Sequence, residues 1–285
     1  MTLARILPAV AAASVLSLAS AALAHDPASF RVMSYNIRVD VPTDNPTWLE
    51  RRPHMAAQIA FYDPDLLGVQ EAHSAMVGYL AEHLPAWDRY GVGRDDGGPV
   101  GETTTLFWKR DRYEALRTET FWCSPTPTTP SKGWDAAYPR TVTRVLLRDR
   151  RDGRLLDVRN AHFDHVGVVA REQCADLVSS LAPAAADADV VLMGDFNTGP
   201  QTAPYRRIVA SGLRDARAIS AVDFGPAGTF NAFDLASDND GVAIDHVFVG
   251  PGLAVERFGV LTDSFGGRVI SDHFPVVADL VPAGR

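Results

Sequence analysis

Three short polar motifs stand at the ends of apolar runs. Gln70-Glu71 follows Asp65-Leu66-Leu67-Gly68-Val69, Gly194-Asp195-Phe196-Asn197 follows Asp189-Val190-Val191-Leu192-Met193, and Ser271-Asp272-His273 precedes Phe274-Pro275-Val276-Val277. Runs of this length and apolarity read as buried strands, so each motif sets carboxylate, amide or imidazole groups at a strand end. Such groups suit a hard cation and proton transfer. Glu71 suits Mg2+, which keeps several waters and takes one or two protein carboxylates. Asp195 and Asn197 alternate onto one side of the chain, where the acid can take a proton from water and the amide can donate to a phosphoryl oxygen. Gly194 allows a tight approach just before them. Asp272-His273 adds a metal contact and an imidazole, and Asp245 in Ala243-Ile244-Asp245-His246 is the carboxylate expected to hold His273 charged. Asn160-Ala161-His162-Phe163-Asp164-His165 brings a second imidazole to a strand end. Singly, each motif has a bland alternative, a surface Glu opening a helix or an Asx-rich turn; together they converge on one site.

The elements that position these groups follow from hydrophobic periodicity. Strands are expected over 30–37, 66–70, 89–92, 103–109, 113–122, 189–195, 243–249, 254–260 and 275–280. Residues 141–149 and 154–162 have the pattern of a hairpin turning at Arg151-Asp152-Gly153. Helices are expected over 53–62, with Pro53 in the first turn, and over 73–84, 168–181 and 203–211, the last stopped by Gly212. Strands outnumber helices and are often joined directly. The expectation is therefore α+β, two packed, mostly antiparallel sheets flanked by helices in a four-layer α/β/β/α sandwich.

With 285 residues and 46% hydrophobic content the chain can bury a large core. The formal net charge of −8 argues against non-specific electrostatic binding to DNA. Residues 1–24 read as a signal peptide: Arg5 is followed by an apolar stretch from Ile6 to Leu23, and Ala22-Leu23-Ala24 offers small residues for cleavage. Residues 25–285 then form one catalytic domain, exported to the periplasm or secreted, without stable membrane insertion after processing, and monomeric. Cys123 and Cys174 read as two small buried side chains rather than a bridge, although export would place them in an oxidising compartment.

The order Ser34-Tyr35-Asn36-Ile37, Gln70-Glu71, Gly101-Glu102, Asn160-Ala161-His162, Gly194-Asp195-Phe196-Asn197, Ile244-Asp245-His246 and Ser271-Asp272-His273 resembles the endonuclease/exonuclease/phosphatase superfamily, the deoxyribonuclease-I-like fold. The resemblance implies Glu71 as the main Mg2+ ligand, with Asn36 and Asp272 nearby and Mn2+ as an alternative ion. It implies that Asp195 orients or deprotonates the attacking water and that Asn197 holds phosphate. His273 is similar to the family's phosphate-polarising histidine, paired with Asp245; His162 is similar to its second histidine, with Glu102 as carboxylate partner. The implied reaction is direct in-line attack of water on a phosphate ester, with phosphodiester cleavage, including nuclease activity, slightly ahead of phosphomonoester removal. Lipid or sugar phosphates compete with nucleic acid or nucleotides as substrate, and a catalytically silent binding module on the same scaffold is the alternative of another class. Where the abasic-site repair branch has Asp two positions after the motif Asn, this chain has Arg38. Gly-Asp-Phe-Asn followed by Thr198-Gly199-Pro200, with Tyr205 after it, is closer to deadenylase-like members and exported bacterial proteins. Arg94, Arg140 and Arg171 are candidate phosphate contacts, Trp134 a stacking platform for a base or sugar, and Asn231 a further substrate contact.

Overall fold

The computed structural model describes residues 28–284, so the signal-peptide expectation for residues 1–24 lies outside the described residues. The chain runs β1 (Phe30–Asn36), α1 (Trp48–Tyr62), β2 (Leu66–Gln70), α2 (Ser74–His83), β3 (Trp87–Tyr90) and β4 (Leu106–Lys109). It continues with β5 (Tyr113–Trp122), β6 (Thr141–Asp149), β7 (Leu155–His162), α3 (Val168–Ser180), β8 (Asp189–Asp195) and α4 (Ala203–Ala210). The short β9 (Arg214–Asp215), α5 (Ala216–Ile219) and β10 (Val222–Phe224) precede β11 (Asp245–Val249), β12 (Leu253–Val260), the β13 (Ser264–Phe265) and β14 (Arg268–Val269) hairpin, and β15 (Val276–Pro282).

Two large sheets result, one in the order β10-β12-β15-β1-β2-β4-β3 and one in the order β5-β6-β7-β8-β11-β9. The β1–β2, β7–β8 and β10–β12 pairs are parallel and the other pairings are antiparallel. Because strand side chains alternate between faces, neighbours divide between layers. Val32, Leu66, Val191 and Val247 pack between the sheets. Met33 and Leu67 instead meet Met55 and Ile59 of α1 and Met76 and Leu80 of α2. Leu192 and Phe248 meet Ala175 and Val178 of α3 and Ile208 of α4. Burial on both faces is why these strands read as continuous apolar runs rather than alternating ones. Each fully buried aliphatic side chain contributes about 1.5–3 kcal/mol. The four-layer α/β/β/α expectation therefore holds.

Beyond shifts of one to three residues at element ends, three details differ from the sequence reading. Helix α1 begins at Trp48, ahead of Pro53, because the Glu50 carboxylate accepts a hydrogen bond from the Thr47 backbone N–H at 2.8 Å and satisfies the helix start. Pro53 lies inside the helix rather than in its first turn. The elements β9, α5, β10, β13 and β14 span two to four residues, too short to carry a periodic pattern. Finally, Cys123 and Cys174 are joined in a disulfide with their Cα atoms 4.9 Å apart, which corrects the reading of two separate thiols. The bridge ties the loop after β5 to α3 inside the core under the six-stranded sheet.

Candidate active site

Strand register brings the motifs to one end of both sheets. Asn36 ends β1 opposite Gln70 of β2, His162 ends β7 opposite Asp195 of β8, and Asp245 opens β11 opposite that same Asp195. Gly194 is required there: its φ is +150°, and a Cβ would stand 2.0 Å from the Ala161 carbonyl oxygen. Gln70 and Asn160 have a different task. Gln70 donates to Asn160 Oδ1 at 2.6 Å, and the Asn160 amide donates to the Val69 and Thr105 carbonyls at 2.9 and 3.1 Å. These buried bonds stitch the two sheets together beneath the site.

Above them lies a cavity of ≈ 560 Å³ lined by Glu71, Glu102, His162, Asp195, Asn197, Asp272 and His273 of the expected set. Arg94 and Arg140 also line it. Asp195, on its floor, is buried. Its carboxylate accepts the Asn36 side-chain N–H at 2.9 Å and the Asn197 backbone N–H at 2.8 Å. Burial, with the charge of Asp245 added and that of His273 subtracted, pushes its carboxyl up to about 7. The Asn197 side chain donates to the Phe163 carbonyl at 3.0 Å, which leaves its second N–H for a ligand.

Glu71 follows β2 with φ +65°, a left-handed conformation costing about 1–2 kcal/mol for a residue with a Cβ. Its carboxylate accepts the Val39 backbone N–H at 3.0 Å and the Asn36 amide at 2.9 Å. Burial opposes its ionisation, but these two bonds, with the charges of His273 and Arg38, hold its carboxyl below the usual value. The Arg51 guanidinium, buried in α1, fixes the 37–39 segment by donating to the Ile37, Arg38 and Val39 carbonyls. Asp272 shares the cavity with Glu71; burial pushes its carboxyl up, His273 pulls it back, and the charge of Glu71 adds to the rise. A buried carboxyl raised by the charge of its neighbour is what a divalent cation relieves, and the hard oxygen donors of the pair suit one. Ligand atoms of Glu71, His162 and Asp195 also lie within 4.8 Å of one another. The residues present therefore fit a divalent ion. Asn36 lies between these groups: its oxygen accepts the Arg38 backbone N–H at 3.0 Å and its nitrogen donates to Glu71 and Asp195, so it positions both carboxylates.

The two histidines differ in their partners. His273 Nδ1 is 2.9 Å from Asp245, and its Nε2 is 3.8 Å from Asp195. Burial works against its charge, yet Asp245, Asp195 and Asp272 hold it well above the usual imidazole value. His162 has no such carboxylate clamp: Arg140 Nη1 lies 3.0 Å from both ring nitrogens, and Asp195 is 3.5 Å away. Burial first, then the guanidinium charges of Arg140 and Arg94, hold it well below the usual value and therefore neutral. Glu102 is bonded to Arg94 at 2.6 Å, which corrects its expected pairing with His162.

Among the secondary candidates, Arg94 and Arg140 belong to the cavity and three others do not. Arg171 donates to the Asp164 carbonyl at 2.9 Å, supporting the turn whose carboxylate holds Arg140 at 3.2 Å. Trp134 is 41% exposed and does not line the cavity. Asn231 is fully buried, donates to the Ser271 carbonyl and accepts the Phe233 N–H, so it shapes the turn carrying Asp272. Sequence reasoning missed Tyr138, His165 and Phe230 as lining residues and treated Arg38 only as a departure from pattern. His165 sits inside a motif already singled out and Tyr138 two positions before Arg140, the one signal that was available. Arg38, with φ +53°, is clamped by Asp44 at 2.9 and 3.2 Å and stands 3.7 Å from Asp272.

Two packed sheets with an acidic and histidine-bearing cavity at their strand ends define a phosphoesterase-type α/β sandwich. The model of the Endonuclease/Exonuclease/phosphatase family matches residues 33–273, and the chain belongs to that family. Among curated proteins none matches. A solved endonuclease/exonuclease/phosphatase family protein from Bacteroides thetaiotaomicron is 35% identical, covering 90% of this chain and 98% of its own, with a TM-score of 0.86. The mannosyl-6-phosphatase of the same organism is 36% identical, covering 88% of this chain and 99% of its own, with a TM-score of 0.85. TDP2 from D. rerio, solved with a single-strand DNA product, is 17% identical over 88% of this chain and 98% of its own, with a TM-score of 0.68, and shares the fold.

Proposed function

We propose that this chain is an exported, divalent-cation-dependent phosphatase that hydrolyses the phosphate monoester of a small polyhydroxylated alcohol by direct attack of water on phosphorus. The observation that carries this reading is that Asp195 and His273 line a half-open cavity of ≈ 560 Å³, within the size range of small-molecule sites. It favours the monoester over the diester that the motifs alone put slightly ahead. The net charge of −8 supports it, because a chain of negative net charge does not attract a polyanion at long range. So does the similarity to a mannosyl-6-phosphatase at 36% identity. Export is supported by the apolar stretch from Ile6 to Leu23 and by the Cys123–Cys174 disulfide, a bond that persists in oxidising compartments.

Glu71 and Asp272 would hold the ion, Mg2+ or Mn2+, which when bound supplies charge neutralisation at the phosphoryl oxygens. The other roles belong to the chain. Asp195, bracketed by the Asn36 and Asn197 N–H groups, orients the water and takes its proton, a task suited to a carboxyl near 7. His273, kept charged by Asp245, donates to a non-bridging oxygen, as do the Asn197 amide and the neutral His162. Purified protein with Mg2+ should release inorganic phosphate from mannose 6-phosphate faster than it cleaves bis-p-nitrophenyl phosphate or plasmid DNA. Faster cleavage of either diester would overturn the monoester reading, and inactivity on every ester would favour the silent module.

A further inference from the structure

The carboxylate expected to serve His162 serves an arginine instead, and the exchange builds a second feature into the cavity. Arg94 and Glu102 are joined twice, by the side-chain pair at 2.6 Å and by the Arg94 N–H donating to the Glu102 carbonyl at 2.9 Å. The Arg94 carbonyl is fixed in turn by the Trp122 indole N–H at 2.6 Å. The pair is therefore held before any ligand arrives, which lowers the ordering cost of binding. Both side chains line the cavity, and neither is exhausted by the pairing. A carboxylate offers about four lone-pair positions and a guanidinium five N–H groups, of which the pairing at 2.6 Å uses one; the Arg94 Nε is buried 3.9 Å from Asp95. Beside them the Tyr138 ring is 50% exposed, with the Arg94 guanidinium 4.7 Å from its centroid and the His165 ring stacked at 6.0 Å.

An acceptor and a donor fixed side by side match two neighbouring hydroxyls, one giving its proton to the carboxylate and the other receiving one from the guanidinium. The exposed part of Tyr138, held by Arg94, Arg140 and His165 around its ring, gives the C–H groups of a polyol an apolar surface beside the pair. A second phosphate, which only accepts hydrogen bonds, would leave the Glu102 carboxylate facing another acceptor, whereas a hydroxyl donates to it. We propose that the Glu102–Arg94 pair and the Tyr138 ring form the recognition subsite for the alcohol half of the substrate, selecting an uncharged polyol through a pair of adjacent hydroxyls. This rests on the monoester reading above.

The test compares mannose 6-phosphate with propyl phosphate, an alkyl ester without hydroxyls. The wild type should prefer the sugar ester in kcat/KM. Glu102→Gln should lower the ratio of the two kcat/KM values by roughly tenfold or more, mainly through KM, as expected for a lost hydrogen bond to an ion. Tyr138→Ala, at a half-exposed position that folding tolerates, should lower the ratio by several-fold, and Tyr138→Phe should restore it. A ratio that stays within about twofold in both Glu102→Gln and Tyr138→Ala, or a wild type indifferent between the two esters, would overturn the subsite while leaving the phosphatase intact. A wild type that hydrolyses neither ester would overturn the phosphatase reading itself.

Discussion

The two histidines of the cavity end up in opposite charge states although both are buried at strand ends. His273 faces the Asp245 carboxylate at 2.9 Å and is held charged. His162 faces the Arg140 guanidinium at 3.0 Å and is held neutral. Burial disfavours the charged form in both, so the sign of the nearest partner decides the outcome. One half of the site thus presents a cation and the other a neutral donor, with Asp195 within 3.8 Å of the first and 3.5 Å of the second. The lesson is that a motif fixes which residue types stand at a strand end, while their chemistry is set by what the rest of the fold places beside them.

The sharpest way to break the comparison is to remove the residue both histidines address. Asp195→Asn should lower kcat by roughly 10²–10⁴-fold, the span of general-base catalysis, in a steady-state assay. Disabling the charged half comes next: Asp245→Asn strips His273 of the carboxylate that charges it, and kcat should fall by about 10²–10³-fold, the loss expected for one oxyanion donor. The neutral half adjoins the disulfide, since Cys123 donates its backbone N–H to the Arg140 carbonyl at 2.8 Å. Replacing both cysteines by serine opens a loop of 51 residues and should cost about 2–4 kcal/mol of stability in a denaturant titration. The smallest effect is expected at His162 itself, where Gln replaces one neutral donor by another. His162→Gln should lower kcat by about tenfold, less than Asp245→Asn; the reverse ranking would show that His162 carries the positive charge.

The framework of the molecule was legible because continuous apolar runs ending in polar pairs have few other readings. Val191 and Leu192, or Val247 and Phe248, are buried on opposite faces of one strand, which leaves a pattern without alternation. Asp195, Glu71, Asp272 and His273 were legible for the same reason, each standing one or two residues from such a run. One partnership across the fold was legible, Asp245 with His273 at 2.9 Å; the others were not. Glu102 turns to Arg94, eight residues back in the same loop, and Arg140 turns to His162, 22 residues on at the end of β7; the fold of the loops, which carries no periodic pattern, decides which partner each side chain meets. Asn231 and Trp134 show the matching failure for burial. The first is sealed against the Ser271 carbonyl and the second stands out in solvent, though both sit among turn-forming residues that look alike in sequence. The cysteine pair, 51 residues apart, belongs to the same class of long-range fact.

Metal-supported hydrolysis of a small monoester is tested most directly by following inorganic phosphate released from mannose 6-phosphate before and after chelation. Release should stop in EDTA, return on adding excess Mg2+ or Mn2+, and fail to return in a Glu71→Gln variant that retains its fold by circular dichroism. Phosphate release that continues undiminished in EDTA would contradict it.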